Sequence, residues 1–590
     1  MIAVLAALLI QIRNPIGMRP DAWTEAVVVT AGRNFIRTGF SAHAGVPQFQ
    51  PVTAANPSDP FFLYSTYPPG MYWMSGLWQR TGITPAGVQR LLPIFCSVVS
   101  LWLWFVFVRG FCGAGVAGLA TVIMATSFAF LGYADSLAYH AYTLLTALLA
   151  VVSLEKAINT GGASRSWWLV GTLAAIGATA LFSHEYHFFL AIYFAGRLVS
   201  WGGWKKLGYL LVLVLPFLAV LAFQQWQRGT IMAEMPVGSV SGATTPLADI
   251  YRRTIGFSSA IDTPPGLTLA GYPLWLSQRY FDLFGLPVIA VVFLYILVVF
   301  RRPGKATSAA NLSGERLCGL LLVAGCGWWL VMMQHTSVHA HTMRLGLMGY
   351  SLLLALAIAR TWSSLRAGNK TIVRIAGVML LLAMIYVQAD GLYAFGRNMV
   401  AETYWDARER SDFGAGESRQ LSRLKELVPE DAVILTNHTR LAPMRLWSER
   451  PVYNGSMAFF PPGDSEHGRR FLEMSLLHLR ELHRGEMPRL FYVYSIYPHA
   501  TFQDALQGDE LLRILMTGGP DFGSDGGVRS FLSLQAAIAH GESNETFCPI
   551  RGVIPEAGIL VFDFGPAVPV ALREWGRNPP PTLREFGPAR

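Results

Sequence analysis

The sequence has few cysteines, little charge and none of the common nucleotide-binding motifs. Its five cysteines form no Cys-x-x-Cys pair, and so the usual zinc and thiol-redox motifs are absent. It contains no Walker loop, no glycine-rich dinucleotide fingerprint and no serine–histidine–aspartate motif order, which argues against an ATP-driven pump or a serine hydrolase. Only 14% of the 590 residues are charged and 52% are hydrophobic. This composition is too apolar for an ordinary soluble protein.

The apolar residues from Met1 to about Asp390 form long runs separated by short connections. A membrane-spanning helix needs roughly 20 apolar residues. The first run, Met1–Ile12, is too short to span unaided, and it lacks the preceding basic residue and the cleavage site of a signal peptide. Together the runs predict a bundle of about eleven transmembrane helices. The other predicted spans are Leu91–Val108, Ala114–Leu131, Ser136–Leu154, Trp167–Phe182, Tyr186–Val199, Leu207–Phe223, Phe281–Phe300, Leu317–Met333, Leu345–Ala359 and Ile372–Val387.

The net charge is +9, and many of the basic residues lie in short loops between predicted spans. Such loops mark the cytoplasmic side of a membrane protein. The loop residues are Arg109, Lys156, Arg165, Arg197, Lys205, Lys206, Arg301, Arg302, Lys305, Arg316, Arg360, Arg366, Lys370 and Arg374. With an inside N-terminus, residues 13–90, residues 224–280 and the tail after Asp390 lie outside. The sequence therefore predicts a protein of the cytoplasmic (inner) membrane, in contact with membrane lipids and with no nucleic-acid partner.

Two domains are predicted. Residues 1–390 form a mainly α polytopic bundle, which includes the outer segment 13–90 and the outer loop 224–280. Residues 391–590 carry more charge and form an extracytoplasmic α/β domain, because predicted helices and strands alternate there. The predicted helices are Ser418–Leu427 and Phe471–His483, and the predicted strands are Ala432–Asn437, Leu490–Ile496 and Gly558–Phe564.

Two polar clusters interrupt the apolar runs on the outer side. A carboxylate beside a transmembrane helix is costly to bury, which makes Asp135, with His140, a functional candidate. Asp135 equally fits a helix N-cap. His184, Glu185 and His187 lie at the turn between two spans. The two histidines are three residues apart and fit half of a metal site, or else they are interfacial residues of a polar turn.

Two carboxylates follow the first apolar run. Asp21 and Glu25 are four residues apart, and so they share a face of a helix just beyond the first span. A carboxylate held at the membrane surface is suited to activate an acceptor hydroxyl or amine. The alternative is a solvated interfacial helix whose charges only support the helix.

A histidine-rich segment lies at the outer end of another predicted span. His335 and His339 are four residues apart, and His341 and Arg344 follow. This group suits phosphate recognition, since arginine binds phosphate oxygens at two points. A divalent metal that bridges a phosphate is the second interpretation, and ordinary interfacial histidines are the third. The outer loop carries Arg252 and Arg253, which reach a lipid phosphate if the loop acts as a mobile lid. Alternatively, the loop forms a surface helix that binds anionic headgroups through the same arginines.

Three sequence features occur near the start of the chain: the acidic residue Asp21 after the first predicted span, a predicted helix, and the aromatic-Pro-Pro turn Tyr67-Pro68-Pro69. The helix carries Ala31, Arg33, Asn34, Phe35 and Gly39. Together these features resemble the GT-C glycosyltransferases, a superfamily that includes protein O-mannosyltransferases and lipid A aminoarabinose transferases. The resemblance implies an outward-facing active site and a polyprenyl-phosphate-linked sugar donor. The family's Asp-Glu pair is Asp21-Ala22 here, and its usual His-Pro-Pro turn begins with Tyr67.

The sequence therefore predicts an integral membrane glycosyltransferase that moves a sugar from a polyprenyl phosphate to an envelope glycan, lipid or protein. Asp21 is the first candidate for the catalytic carboxylate and Glu25 the second. Arg344, with His335 and His339, is expected to bind the donor phosphate. No cofactor is required by this scheme, and a divalent metal is an alternative. The rival prediction is a polytopic transporter or lipid flippase, and a scaffold without activity is a third.

Overall fold

The structure is a computed structural model in which the described residues fall into ranges. They are 2–10, 12, 22–59, 62–65, 67–84, 86–203, 206, 208–234, 268, 270–276, 314–333, 336, 340–366, 382, 389, 421–436, 441–454, 478–484, 486, 488–495, 550–554 and 558–565. Of the predicted site residues, Asp21, Arg252, Arg253, His335 and His339 lie outside these ranges.

The described residues form a mainly helical protein with one small mixed sheet. The helices are α1 (Ile2–Ile10), α2 (Ala22–Thr38), α3 (Gly70–Arg80), α4 (Ala86–Gln89), α5 (Leu91–Thr126), α6 (Phe128–Leu131), α7 (His140–Asn159), α8 (Gly162–Phe182), α9 (Glu185–Gly202), α10 (Gly208–Glu234), α11 (Gly314–Val331), α12 (Leu347–Arg366), α13 (Leu424–Leu427) and α14 (Leu441–Ser448). Short 3₁₀ helices span Ala42–Gly45, Ala340–Gly346 and Leu421–Arg423. The strands are β1 (Ala432–Thr436), β2 (Val452–Asn454), β3 (Arg489–Ser495), β4 (Ile550–Ile554) and β5 (Ile559–Gly565).

The predicted apolar runs in the described part of the bundle are helical. Helices α5, α7, α9, α11 and α12 pack around one apolar core that contains Trp104, Phe189 and Leu352. Four described segments are long and apolar enough to cross a membrane, by length and composition: Gly87–Thr126, His140–Asn159, Gly208–Ile231 and Gly314–Val331. The predicted spans Phe281–Phe300 and, except for Leu382, Ile372–Val387 lie outside the described residues.

A break at Gly113 divides α5 between two predicted spans. Gly113 has φ +80°, a backbone conformation that side chains with a Cβ rarely adopt. The second span is shorter than predicted, because the helix ends at Thr126 and the separate helix α6 follows. The next span begins at His140 rather than Ser136.

Helix α10 extends further than the sequence predicts. Gln224–Glu234 was expected to begin the outer loop, but it continues the helix. The outer segment supplies partners for this extension: Gln227 donates to the Ala44 carbonyl at 2.8 Å, and Arg228 donates to Ser65 Oγ at 3.1 Å. Ile231 packs against apolar side chains of the same segment. These contacts make the extra helical turns favourable.

Asn34 of the predicted helix motif organises the outer segment. Its Nδ2 donates to the carbonyls of Gln48 and Gln50 at 2.8 and 2.6 Å, and its Oδ1 accepts from the Val52 N–H at 3.0 Å. The side chain is buried, and one amide thus satisfies three backbone groups. Asn34 therefore fixes the irregular chain that follows α2.

The sheet has the strand order β2-β1-β3-β5-β4. Strands β2, β1 and β3 are parallel, and β5 is antiparallel to both β3 and β4. The three predicted strands are confirmed, with ends shifted by one residue. The predicted helix Ser418–Leu427 is a 3₁₀ turn followed by α13 within its described part, and residues 478–482 of Phe471–His483 are helical.

The outer segment docks on the edge of this sheet. The Gln50 side chain accepts from the Val452 N–H at 2.9 Å and donates to the Val452 carbonyl at 2.8 Å, so it pairs with edge strand β2 as another strand would. Asp59 is buried, accepts from the Tyr453 hydroxyl at 2.5 Å and lies 3.0 Å from His478 Nε2. The domain after the bundle is thus held against the outer segment by buried polar contacts.

A partly exposed charge cluster completes this contact, and it predicts a pH dependence. Burial raises the pKa of Glu449, but Lys425 at 2.6 Å, Arg33 at 3.0 Å and Arg37 outweigh burial and lower it below 4.5. A carboxyl with a lowered folded-state pKa stabilises the fold above its unfolded pKa, and this contribution is lost as the pH falls through the folded pKa.

We expect Glu449→Gln to reduce stability at pH 7 by at most about 1 kcal/mol, because the cluster is partly exposed. The variant should also lose less stability than the parent below about pH 4.5. Unfolding temperature between pH 3 and 7 is the measurement. Glu426→Gln, an exposed neighbour, is the matched control and should keep the parent's pH profile. An unchanged profile in Glu449→Gln would contradict the prediction.

Candidate active site at the outer end of the bundle

Glu185 is the centre of a buried polar cluster. Its Oε1 accepts from the hydroxyls of Tyr67 at 2.8 Å and Tyr139 at 3.0 Å, and it lies 3.5 Å from His341 Nε2. Glu185 begins α9 and is 2% exposed. We call Tyr67, Tyr139, His140, Glu185 and His341 the outer polar cluster. The cluster joins the Pro-Pro turn, the start of α7, the start of α9 and the 3₁₀ helix before α12.

His140 links this cluster to Arg344. Its ring centre lies 5.1 Å from that of His341 and 4.8 Å from that of Tyr133. The Arg344 guanidinium lies 4.6 Å from the Tyr133 ring centre, a cation–π contact. Arg344 Nε donates to the Ala129 carbonyl at 2.8 Å.

Arg344 is a buried cation whose contacts in the described ranges are with neutral groups. Its side chain is 4% exposed, and within the described ranges no carboxylate lies at ion-pair distance from its guanidinium. A buried charge is costly unless it is paired. An anion such as a phosphate ester would compensate this charge, and guanidinium groups bind phosphate oxygens at two points.

Glu25 forms a separate buried ion pair. Its Oε2 accepts from Arg90 Nη2 at 2.7 Å, and both side chains are fully buried. Its Oε1 accepts from the Leu137 N–H at 3.1 Å. Glu25 therefore anchors the loop before α7. Asp135, also fully buried, lies close enough to interact electrostatically with Arg90.

The N-cap interpretation of Asp135 is wrong for α7. The helix begins at His140, and its N-cap residue is Tyr139, without a side-chain cap hydrogen bond. Residues 132–139 instead form an irregular loop that carries Tyr133, Asp135 and Leu137. This loop connects Arg344 and the Glu25–Arg90 pair with the outer polar cluster.

The two histidines of the His-Glu-x-His turn have different neighbours. The His184 ring centre lies 5.8 Å from that of Tyr67, whereas the His187 ring stacks on Phe217 at 4.2 Å. Across the described chain, no group of three or more His, Cys, Asp or Glu side chains is arranged to hold a metal ion. Glu185, between these histidines, bonds instead to tyrosines.

An apolar cavity of about 230 Å³ lies between α8, α9 and α10. Its lining includes His187 and Phe217, together with Leu190, Phe194 and Leu213. The outward face of α10 beyond this cavity exposes apolar side chains, with Leu211 77% exposed. The lining of the cavity and the exposed face of α10 therefore suit hydrophobic chains better than polar ligands.

Sequence reasoning missed three residues of this site. His341 was noted only as part of a histidine run, although it is the histidine of that run that contacts Glu185. Tyr139 and Arg90 were not singled out. Arg90 directly precedes an apolar run, and an arginine at that position on the predicted outer side is a signal for a buried ion pair. The aromatic residues around Tyr139 in the sequence do not distinguish it as a site residue.

Solved structures show what this architecture resembles, whereas no family model and no curated protein matches the sequence. The Archaeoglobus fulgidus oligosaccharyltransferase tethered with an acceptor peptide aligns with a TM-score of 0.51 and 13% identity, over 84% of this chain and 69% of that chain. Another structure of the oligosaccharyltransferase, in complex with Zn and sulfate, aligns with a TM-score of 0.50 and 13% identity, over 84% of this chain and 67% of that chain.

ArnT from Cupriavidus metallidurans bound to undecaprenyl phosphate aligns over nearly the whole length. The TM-score is 0.51 with 11% identity, and the alignment covers 95% of this chain and 96% of that chain. At such low identity the likeness concerns architecture rather than individual site residues. The chain therefore shares the overall fold of the oligosaccharyltransferase and of ArnT.

Proposed function

We propose that this protein is an integral membrane glycosyltransferase that transfers a sugar from a polyprenyl-phosphate donor to an envelope glycan, lipid or protein. The observation that carries the proposal is Arg344, a buried guanidinium held over Tyr133 with no carboxylate at ion-pair distance in the described structure. A phosphate group supplies the missing negative charge. The fold relative bound to undecaprenyl phosphate supports a lipid-linked donor.

The apolar cavity between α8, α9 and α10 supports the same donor class. A polyprenyl chain is hydrophobic, and this cavity is lined almost entirely by apolar side chains of α8, α9 and α10. A donor whose phosphate meets Arg344 would place its chain among the helices of the bundle, within the hydrocarbon layer. Lateral entry from the membrane would then require no aqueous path for the lipid.

The chemistry would proceed by displacement at the anomeric carbon. Asp21 would orient or deprotonate the acceptor, which attacks the sugar as the lipid phosphate leaves. Arg344 would stabilise the negative charge that develops on the leaving phosphate, a large contribution in a dry site. His335 and His339 are proposed to add donors to the phosphate, and Arg252 and Arg253 are the next candidates. A divalent metal bound at these histidines is the alternative.

The reaction is proposed to occur on the outer face of the cytoplasmic membrane. This placement rests on the basic short loops and on a bundle of about eleven helices. A reporter enzyme that is active only outside the cytoplasm is expected to be active when it is fused after Asp390. A matched fusion after Arg316, in the first turn of α11 and next to a basic predicted loop, should report the cytoplasm. A cytoplasmic location of the Asp390 fusion would reverse the topology and the side of the site.

The proposed activity is tested by the product and by the donor lipid. We expect mass spectrometry of envelope glycans, lipids and proteins to lose one sugar modification when the gene is deleted. We also expect the purified protein to bind undecaprenyl phosphate, used as a probe for the donor. An unchanged envelope combined with movement of a lipid across the membrane would support the flippase instead. Transporters place ionisable groups near the bilayer midplane, whereas the outer polar cluster lies at helix ends.

A further inference from the structure

Glu185 joins the parts of the chain that line the proposed site. Tyr67 belongs to the Pro-Pro turn, Tyr139 to the loop before α7, and His341 to the 3₁₀ helix that also carries Arg344. These contacts converge on one carboxylate oxygen. A displacement of Glu185 would therefore change the positions of all three of these segments.

The Tyr67 turn is held in place by its surroundings. Pro68 and Pro69 restrict the backbone, and Gly70 packs so closely against α8 that a Cβ there would overlap the Leu181 carbonyl oxygen. The turn thus has little freedom to adjust to a loss of its contact with Glu185. The Tyr67 hydroxyl is presented to Glu185 by a rigid segment.

We propose that Glu185 is a positioning residue for sugar transfer. It acts without touching the reacting atoms, by holding Tyr67, Tyr139 and His341 in the arrangement that faces a phosphate at Arg344. This inference rests on the proposed function. A misplacement of about 1 Å costs a transferase roughly 10²-fold in rate, and hydrogen bonds to an ionised carboxylate are about twice as strong as neutral ones.

Glu155 provides a matched control within the same helices. Its Oε1 accepts from the Tyr193 hydroxyl at 2.9 Å and from Arg197 Nε at 2.6 Å, and it is buried. It lies near the end of α7, on the opposite side of the bundle from Glu185 at the start of α9. Glu155 is therefore, like Glu185, a buried carboxylate that accepts from a tyrosine hydroxyl, but within the described residues it contacts no member of the outer polar cluster.

The experiment compares Glu185→Gln, Glu185→Ala and Glu155→Gln in the full-length protein reconstituted in lipid nanodiscs. Transfer is followed as undecaprenyl phosphate released from lipid-linked sugars extracted from the producing cells, at saturating and limiting extract. Affinity is measured with undecaprenyl phosphate alone, and stability by the unfolding temperature. These three readouts separate a positioning role from a merely structural one.

For Glu185→Gln we expect the saturated rate per folded molecule to fall about 10-fold, and for Glu185→Ala about 10²-fold, because the amide keeps an acceptor that alanine lacks. The affinity for undecaprenyl phosphate should change by less than about 3-fold, because Arg344 remains in place. Glu155→Gln should lower the unfolding temperature, because it removes the carboxylate that pairs with the buried Arg197, and should keep the rate per folded molecule.

A second set of variants covers the case in which Glu185→Ala does not fold. Tyr67→Phe and Tyr139→Phe each remove one hydroxyl that donates to Glu185. Each should lower the saturated rate, and in combination with Glu185→Gln the losses should be less than additive, since the groups act as one unit. Independent, additive losses would overturn the inference.

Two further outcomes distinguish the inference from the proposed function. A wild-type rate in Glu185→Gln, or losses of rate and stability that parallel those of Glu155→Gln, would overturn the positioning role alone. Failure of the unmodified protein to bind undecaprenyl phosphate or to release it from the extract would overturn the proposed function and this inference with it. The proposed function is therefore tested on the unmodified protein, independently of the Glu185 variants.

Discussion

Asp21→Asn is expected to reduce the rate of sugar transfer by about 10²-fold or more, which is the usual contribution of a general base. Asparagine keeps the size and polarity of the side chain but cannot accept the acceptor's proton. Binding of undecaprenyl phosphate should change little, because the phosphate site is assigned to Arg344. The measurement is the saturated rate of undecaprenyl phosphate release, with affinity for the same lipid as the second readout.

Glu25→Gln is the comparison variant for Asp21→Asn, because Glu25 is the second candidate for the catalytic carboxylate. Glu25 is fully buried and accepts from Arg90 and the Leu137 N–H. Removal of its charge breaks the buried pair with Arg90, and breaking such a pair costs about 3–5 kcal/mol. Glu25→Gln should therefore lower the unfolding temperature and loosen the loop that Glu25 anchors, with a smaller loss of rate per folded molecule than Asp21→Asn. A normal rate in Asp21→Asn would remove this residue from the mechanism.

The bundle was largely predictable from sequence because its helices are long apolar runs. Such runs are recognisable one at a time, and their number assigns each connecting turn to one side of the membrane. This reasoning placed the turns around Asp135, Glu185 and His341 on the same side, and the structure brings these turns into contact through Tyr139 and His140.

The individual contacts were not predictable, because they join residues far apart in the chain. Tyr67 and Glu185 are 118 positions apart, and Arg90 and Glu25 are 65 apart. No local periodicity relates such pairs, and their contact depends on how whole helices pack. The helix extension Gln224–Glu234 had the same origin, since the outer segment supplies its partners. The roles of Asp21, His335, His339, Arg252 and Arg253 stay predictions.

The loop of residues 132–139 connects the proposed site with residues that do not belong to it. At one point of the loop, Glu25 accepts a hydrogen bond from the Leu137 N–H. At two others, the Tyr133 ring lies against the Arg344 guanidinium and the Tyr139 hydroxyl donates to Glu185. Since the Glu25–Arg90 pair is fully buried, it fixes this loop relative to the outer segment. Positioning of the proposed phosphate site therefore depends on an ion pair that does not itself contact the phosphate.

Arg344→Lys is expected to weaken undecaprenyl phosphate binding about 10-fold, although it keeps the positive charge. Lysine lacks the planar fork that binds two phosphate oxygens, and it cannot reproduce both the 2.8 Å bond to the Ala129 carbonyl and the contact with the Tyr133 ring. Arg344→Ala should lower the transfer rate by about 10²- to 10³-fold, because a fixed donor to the developing charge is lost. Affinity and saturated rate are both measured.

Arg197→Lys is the control for the Arg344 variants, because Arg197 is also buried but pairs with Glu155 through two hydrogen bonds. It should reduce stability and leave undecaprenyl phosphate binding unchanged. A metal-dependent site would behave differently: excess divalent ion would then restore binding in part to His335→Ala, while Arg344→Lys would stay weak. If undecaprenyl phosphate still binds after the joint loss of Arg344, His335 and His339, the phosphate lies elsewhere, and Arg252 and Arg253 become the residues to replace.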